Sequence, residues 1–185
     1  MAYTTDLTIL NIMSYDLSLF SARQSCRNFK SDPVPEDVLN QILHAGTLAP
    51  TGHNLQSPIL IAVTNKELRD KLSKINGEIL GTSNDPFYGA PTVVIVLADK
   101  NVPTYLYDGS VVMENLMLAA AACGVNSCWI HRAKEEFERP EGKEILKRLG
   151  ITGNYEGIGH CVLGYAAAPL PAPTAKKENY VYYIK

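Results

Sequence analysis

Apolar residues recur at helical spacing in some stretches of this chain and as short unbroken runs in others, and that difference sets out the elements. Residues 15–25 read as a helix with Leu17, Phe20 and Ser21 on one side, and Arg27 and Phe29 follow as the chain leaves it. Ser31-Asp32-Pro33-Val34-Pro35 breaks the pattern, and Pro35 suits the first position of the next helix. Glu36 and Asp37 then favour the positive end of the helix dipole, while Val38, Leu39, Ile42 and Leu43 form a core face. Gly46 ends this helix, or a further short turn runs on through Leu48. Residues 50–58 are loop, and 59–63 form an apolar strand. Asn65 is placed to cap a helix over 66–75. Residues 76–90, rich in Gly, Asn, Asp and Pro, read as a long loop of the kind that often carries function. The β-branched run 92–97 has the look of a central strand buried on both faces.

The longest helical candidate covers 108–123, with Asp108 at its start and Gly124 at its end. Val111, Val112, Asn115, Leu116, Leu118, Ala119 and Ala122 leave it little polar surface, so it must be covered on nearly all sides. In so short a chain a subunit interface is the simplest cover, which points to a homodimer. Residues 127–130 and 159–165 are further strands, and 140–149 is a charged helix stopped by Gly150. The Pro- and Ala-rich tail over 166–185 cannot form a core of its own and should be extended. Its end, Tyr180-Val181-Tyr182-Tyr183-Ile184, suits an arm laid on a partner subunit.

The 185 residues fit one domain, 1–185, or one protomer of an intertwined oligomer. With 46% hydrophobic and 19% charged residues, a packed core is expected. A net charge of −2 offers no general attraction to nucleic acid or an anionic membrane, so neither is expected as a partner. The four cysteines include no Cys-x-x-Cys pair, which argues against a disulfide scaffold, a zinc site or an iron–sulfur cluster. Asp6 and the lack of a basic start argue against a signal peptide in residues 1–13, and no run approaches a membrane span. A cytoplasmic protein with reduced thiols is the expectation.

Candidate chemistry gathers in two stretches. Arg23-Gln24-Ser25-Cys26-Arg27 places two guanidiniums four residues apart around a hydroxyl, a set able to bracket one anion such as phosphate. The plainer alternative is a pair of solvated arginines near a helix end. Pro50-Thr51-Gly52-His53-Asn54-Leu55-Gln56 offers amide side chains and free N–H groups at Thr51 and Gly52, which suit a flat heterocycle's mixed donors and acceptors. Alone it reads equally as a turn that satisfies its own backbone. His53 and His131 offer themselves as proton donors but read more simply as ordinary surface or hydrogen-bonding residues, while His44 falls in the second helix and His160 in a strand. Cys26 reads as a packing cysteine rather than a redox thiol, and Trp129 as core rather than pocket wall.

Taken in order, these stretches resemble the FMN-dependent nitroreductases. Arg23-Gln24-Ser25-Cys26-Arg27-Asn28-Phe29 is similar to that family's Arg-x-Ser-x-Arg-x-Phe element, and 48–58 to its Ala-Pro-Ser-x-x-Asn-x-Gln-Pro loop. Phe87-Tyr88-Gly89-Ala90-Pro91, the 124–130 segment and Leu163-Gly164-Tyr165 follow in the family's order, so the likeness runs from about residue 18 to the end. Thr51-Gly52 stands where Ser-Ser is common, Ser57 separates Gln56 from Pro58, and the helical insertions that cover substrate in larger members are missing.

The resemblance implies an α+β fold, with a central, mainly antiparallel sheet flanked by helices, in an intertwined dimer whose 166–185 arm is exchanged. It implies FMN at the interface, with Arg23, Gln24, Ser25 and Arg27 on its phosphate, ribityl chain and pyrimidine side. Pro50, Thr51, Gly52 and Asn54 would come from the partner. Backbone at Trp129, Ile130, His131 and Arg132 would approach the central ring, Lys176 or Lys177 the phosphate, and Asn76 a flavin edge. The implied activity is two-stage: NADH or NADPH passes hydride to flavin N5 and leaves, then a nitroaromatic, quinone or related acceptor takes two electrons. No side chain need act as catalyst, with Arg27 offered to stabilise reduced flavin. The alternatives are a flavin-binding regulatory or storage protein with little turnover, and a specialised reductase of one metabolite.

Overall fold

The structure is a computed structural model that describes residues 17–185. The stretch 1–13 weighed as a signal peptide, and the first two residues of the expected opening helix, lie outside the described residues. Four strands, β1 Pro58–Val63, β2 Thr92–Asp99, β3 Asn126–Ile130 and β4 Tyr155–Gly164, form one sheet in the order β1-β2-β4-β3. All three pairings are antiparallel. The α+β class and antiparallel sheet expected from the sequence are both present. β2 lies inside the sheet and is buried from Thr92 to Ala98, as an unbroken β-branched run requires.

Helices cover both faces. On one lie α2 Glu36–Thr47 and α4 Tyr105–Ala122, and on the other α3 Lys66–Leu80 and α5 Ala133–Glu138, with α6 Pro140–Arg148 packed beside α5. Gly46 does not end α2. It sits inside the helix, where an added β-carbon would lie 2.7 Å from Leu116 Cδ2, so the missing side chain lets α2 approach α4 closely. α4 begins three residues before Asp108 and buries Val112, Met113, Leu116, Met117 and Ala120, while Leu106, Tyr107 and Val111 stay exposed. Within one chain this helix is therefore covered on one side only.

α1 Ser18–Ala22 is a single short turn, and the backbone is already extended at Arg23. Asn65 caps α3, accepting from the Leu68 N–H at 2.8 Å. The helix runs beyond Ile75 to Leu80 and ends at Gly81, whose φ of 76° glycine adopts without cost. Asn76 thus lies inside the helix rather than in the loop expected there. β4 starts four residues before the expected Gly159. Gly157 hides it from a pattern reading, and that glycine is needed because a β-carbon would fall 2.2 Å from the Ala133 carbonyl carbon at the start of α5. The tail is exposed from 171 to 185. Among the described residues no helix is long and apolar enough to cross a membrane, and no cluster of three metal-ligating side chains occurs.

Candidate functional site

The segment after α1 lies along the outer edge of β3. The Cys26 N–H donates to the Ser127 carbonyl at 2.9 Å, and Ser25 bridges Ser127 in parallel. Alternation along this extended run sends Cys26 into the core, 1% exposed, and puts Arg23, Ser25 and Arg27 on the other side. The three therefore share a side because of a period of two, not because of a persisting helix. The Ser127 carbonyl faces this edge, so the same period turns the Trp129 backbone groups the same way, beyond the point where the bridging strand has peeled off.

Arg27 is exposed and forms no ion pair or hydrogen bond among the described residues. It lines a cavity of about 330 Å³ together with Tyr88, Trp129, Ile130, His131 and Arg132. Arg23 and Gln24 line a smaller hollow of about 120 Å³ with Asn126 and Ser127, and Arg23 Nε lies 3.9 Å from Glu114. The half-buried indole of Trp129 packs against the α2/α4 core, with its Nε1 buried. Burial pushes the Cys128 thiol up, with Arg27 and Ser25 opposing it, and Cys161 is pushed up further by the same cause. Neither thiol supplies a thiolate.

The 51–57 loop lines a different cavity, about 640 Å³, through Thr51, Asn54 and Gln56. His53, Asn54 and Gln56 all have φ near 50° (51°, 55° and 49°), a region costly for residues other than glycine. Asp108, 4% exposed, fastens this loop: it accepts from the Gly52 N–H at 2.9 Å, the Ser57 hydroxyl at 2.7 Å and the Thr104 hydroxyl at 3.1 Å. The Gly52 N–H is therefore committed to Asp108 and not free for a ligand. Glycine stands at 52 for room, since a β-carbon would lie 2.3 Å from Thr104 Oγ1. That contact accounts for glycine rather than serine at 52.

Asn76 is wholly buried and does not present a free amide to a ligand. Its Nδ2 donates to the His131 carbonyl at 2.9 Å and to Glu136, and its Oδ1 accepts from Arg132 Nε at 2.9 Å. Glu136 in turn meets His160 Nε2 at 3.1 Å in a pair that is fully enclosed. Lys176 and Lys177 lie in the exposed tail, where the Lys177 ammonium sits 5.4 Å from the Tyr180 ring centre. One chain thus gathers Arg27 with 129–132, keeps the 51–57 loop at a second cavity, and leaves the lysines apart. Sequence reasoning passed over Asp108 and Glu136 as fasteners. The one available signal was an acidic side chain, Asp108, near the head of a largely apolar helix.

The helix-flanked antiparallel sheet, with Arg27 at its edge beside the 129–132 segment, defines an α+β protein with a cationic cavity. The chain belongs to the nitroreductase family, whose model matches residues 20–81 and 80–165. A nitroreductase with bound FMN from Bacteroides fragilis is 28% identical, with a TM-score of 0.84 over 94% of this chain and 100% of that one. A second, from Desulfitobacterium hafniense and also with bound FMN, is 26% identical, with a TM-score of 0.82 over the same shares, 94% and 100%. A protein of Archaeoglobus fulgidus, named as a candidate NADH dehydrogenase/NAD(P)H nitroreductase, is 28% identical over 155 residues, 80% of this chain and 84% of its own length.

Proposed function

We propose that this chain is an FMN-dependent NAD(P)H oxidoreductase of nitroreductase type, acting in the cytoplasm as a homodimer. The observation that carries the reading is Arg27, a guanidinium without a partner among the described residues, in a cavity that residues 129–132 also line. The residues fit FMN: guanidiniums for charge, amides and backbone groups for a pyrimidine edge, and a hydroxyl at Ser25 beside the phosphate-matching Arg23. Bound FMN supplies two-electron transfer, first from NADH or NADPH and then, after that donor has left, to a nitroaromatic, quinone or related acceptor.

The chain's own residues bind and orient. Arg27 holds the electron-rich edge and favours negative charge there. Arg23 and Ser25, joined by Lys176 or Lys177 from the tail, hold the phosphate. Two copies are needed because the 51–57 loop lies at a separate cavity in one chain, while the apolar exposed face of α4 at Leu106, Tyr107 and Val111 calls for a cover. In the dimer Pro50, Thr51, Gly52 and Asn54 reach the partner's cofactor, and the 166–185 arm crosses over.

The purified protein should be yellow, dimeric, and bleached rapidly by NADH or NADPH in stopped flow. Arg27→Ala should weaken FMN binding at least tenfold, the ~1.4 kcal/mol expected of a charge-assisted hydrogen bond. A colourless protein that takes up no added FMN sinks the proposal. A yellow one that neither nicotinamide bleaches is the storage or regulatory protein instead.

A further inference from the structure

Arg132 occupies a backbone conformation that glycine adopts freely and arginine does not, with φ 77° and ψ 9° at the residue preceding α5. An arginine kept there at a conformational cost is kept for its side chain. That side chain is aimed. Its Nε is held by the buried Asn76 Oδ1 at 2.9 Å, and the same amide grips the His131 carbonyl one residue earlier. Asn76 is fixed in turn by Glu136, which is paired with the enclosed His160.

The tether engages Nε alone, and the two terminal nitrogens meet no acceptor among the described residues. Arg132 lines the cavity that Arg27 also lines. The acidic side chain in that lining, Asp85, is already committed, accepting from Arg69, Ser73 and the N–H groups of Phe87 and Gly89. Two guanidiniums beside one cavity with no free acid favour an occupant that brings, or gains, negative charge.

We infer that Arg132 is a second cofactor-facing cation, directed by Asn76 as its positioning residue, and that it favours the reduced, electron-rich edge of the flavin over the oxidised one. This rests on the FMN reading and adds a side-chain role where only backbone approach had been expected. Its consequence is redox poise: removing the charge should weaken reduced FMN more than oxidised FMN.

The test is potentiometry on FMN-loaded wild type, Arg132→Gly, Arg132→Gln and Asn76→Ala, with FMN affinity by fluorescence and thermal melting alongside. Arg132→Gly relieves that φ but takes from the buried Asn76 Oδ1 its donor, so it should melt below wild type, and it should shift the reduced-to-oxidised affinity ratio about tenfold, a midpoint lower by about 30 mV for two electrons. Arg132→Gln keeps the aliphatic stem and should shift the midpoint equally, which covers any folding failure of the glycine variant. Asn76→Ala should move it the same way by less. Unchanged midpoints in both Arg132 variants overturn the inference while leaving the flavin reading intact. A wild type that takes up no FMN overturns that reading first, and this inference with it.

Discussion

Two stretches beside the candidate cavities hold side-chain-bearing residues in the left-handed backbone region, and they are fastened in different ways. Residues 51–57 carry three such residues and hang from one carboxylate, Asp108, reached by the Gly52 N–H, the Ser57 hydroxyl and the Thr104 hydroxyl. The turn at 131–132 carries one and hangs from a neutral amide, Asn76, backed by Glu136 and His160. Asp108 belongs to α4 on one face of the sheet, while Asn76 and Glu136 belong to α3 and α5 on the other. The first clamp gathers one backbone N–H and two hydroxyls and leaves Thr51 and Asn54 at the surface to serve. The second holds a guanidinium beside a backbone carbonyl and so directs a charge. One shapes a loop; the other aims a cation.

The sharpest way to break this comparison is Asp108→Ala. Gly52, Ser57 and Thr104 would lose their shared acceptor in a buried place, which should cost about 3 kcal/mol in urea unfolding. Asp108→Asn should cost roughly half of that, about 1–2 kcal/mol, because an amide can still accept but presents a donor to donors. FMN affinity should fall with the first variant, because the loop's three strained residues relax once it is released. An Asp108→Ala protein as stable as wild type would mean the loop holds itself.

How much of this could be read without the structure depends on whether a signal was local. The β2 run, the α2 core face and the Asn65 cap were legible because each is written in adjacent residues. α5 was not: residues 134–136, Lys-Glu-Glu, look like surface, yet Glu136 turns inward to His160, a partner 24 positions away. The end of α3 was misjudged because Asn76 and Gly77 read as breakers. Asn76 is instead satisfied by residues 55–60 positions on, and Gly77 makes room for the Thr82 carbonyl, 3.0 Å from its added β-carbon. The two opening stretches of the candidate site were visible as motifs. Their clamps were not, since a clamp is a contact between distant parts of the chain.

Glycine sharpens the comparison, because the two sites stand differently towards it. At 132 glycine is what the backbone would prefer. At 52 it is what the neighbours require, with the Thr104 hydroxyl 2.3 Å from any β-carbon placed there. Gly52→Ala should therefore destabilise by about 2 kcal/mol through overpacking. Combined with Thr104→Gly, the added methyl finds space, so the double variant should lose less than the two single losses added together. Strict additivity in that cycle would show that the clash relaxes elsewhere.

The smallest effect expected is the response of a third clamp to acid. Asp85 holds the turn that presents Tyr88, itself at φ 56°, to the 330 Å³ cavity. Burial opposes charge on Asp85, but the Ser73 hydroxyl, the Arg69 guanidinium and the N–H groups of Gly89 and Phe87 outweigh it and hold the carboxyl below its usual value of 3.8. A carboxyl held low when folded adds stability above its unfolded value, and that addition fades as pH falls from about 4 through the lower folded value. Wild type should therefore lose stability over that window more steeply than Asp85→Asn, measured by urea midpoints at successive pH values. Glu156 is also held low: Lys100, Tyr105 and Lys134 together outweigh the burial that opposes its charge, so part of the slope persists in the variant. Equal slopes in the two proteins would show that Asp85 keeps its turn as well protonated as ionised, and that geometry rather than charge fastens Tyr88.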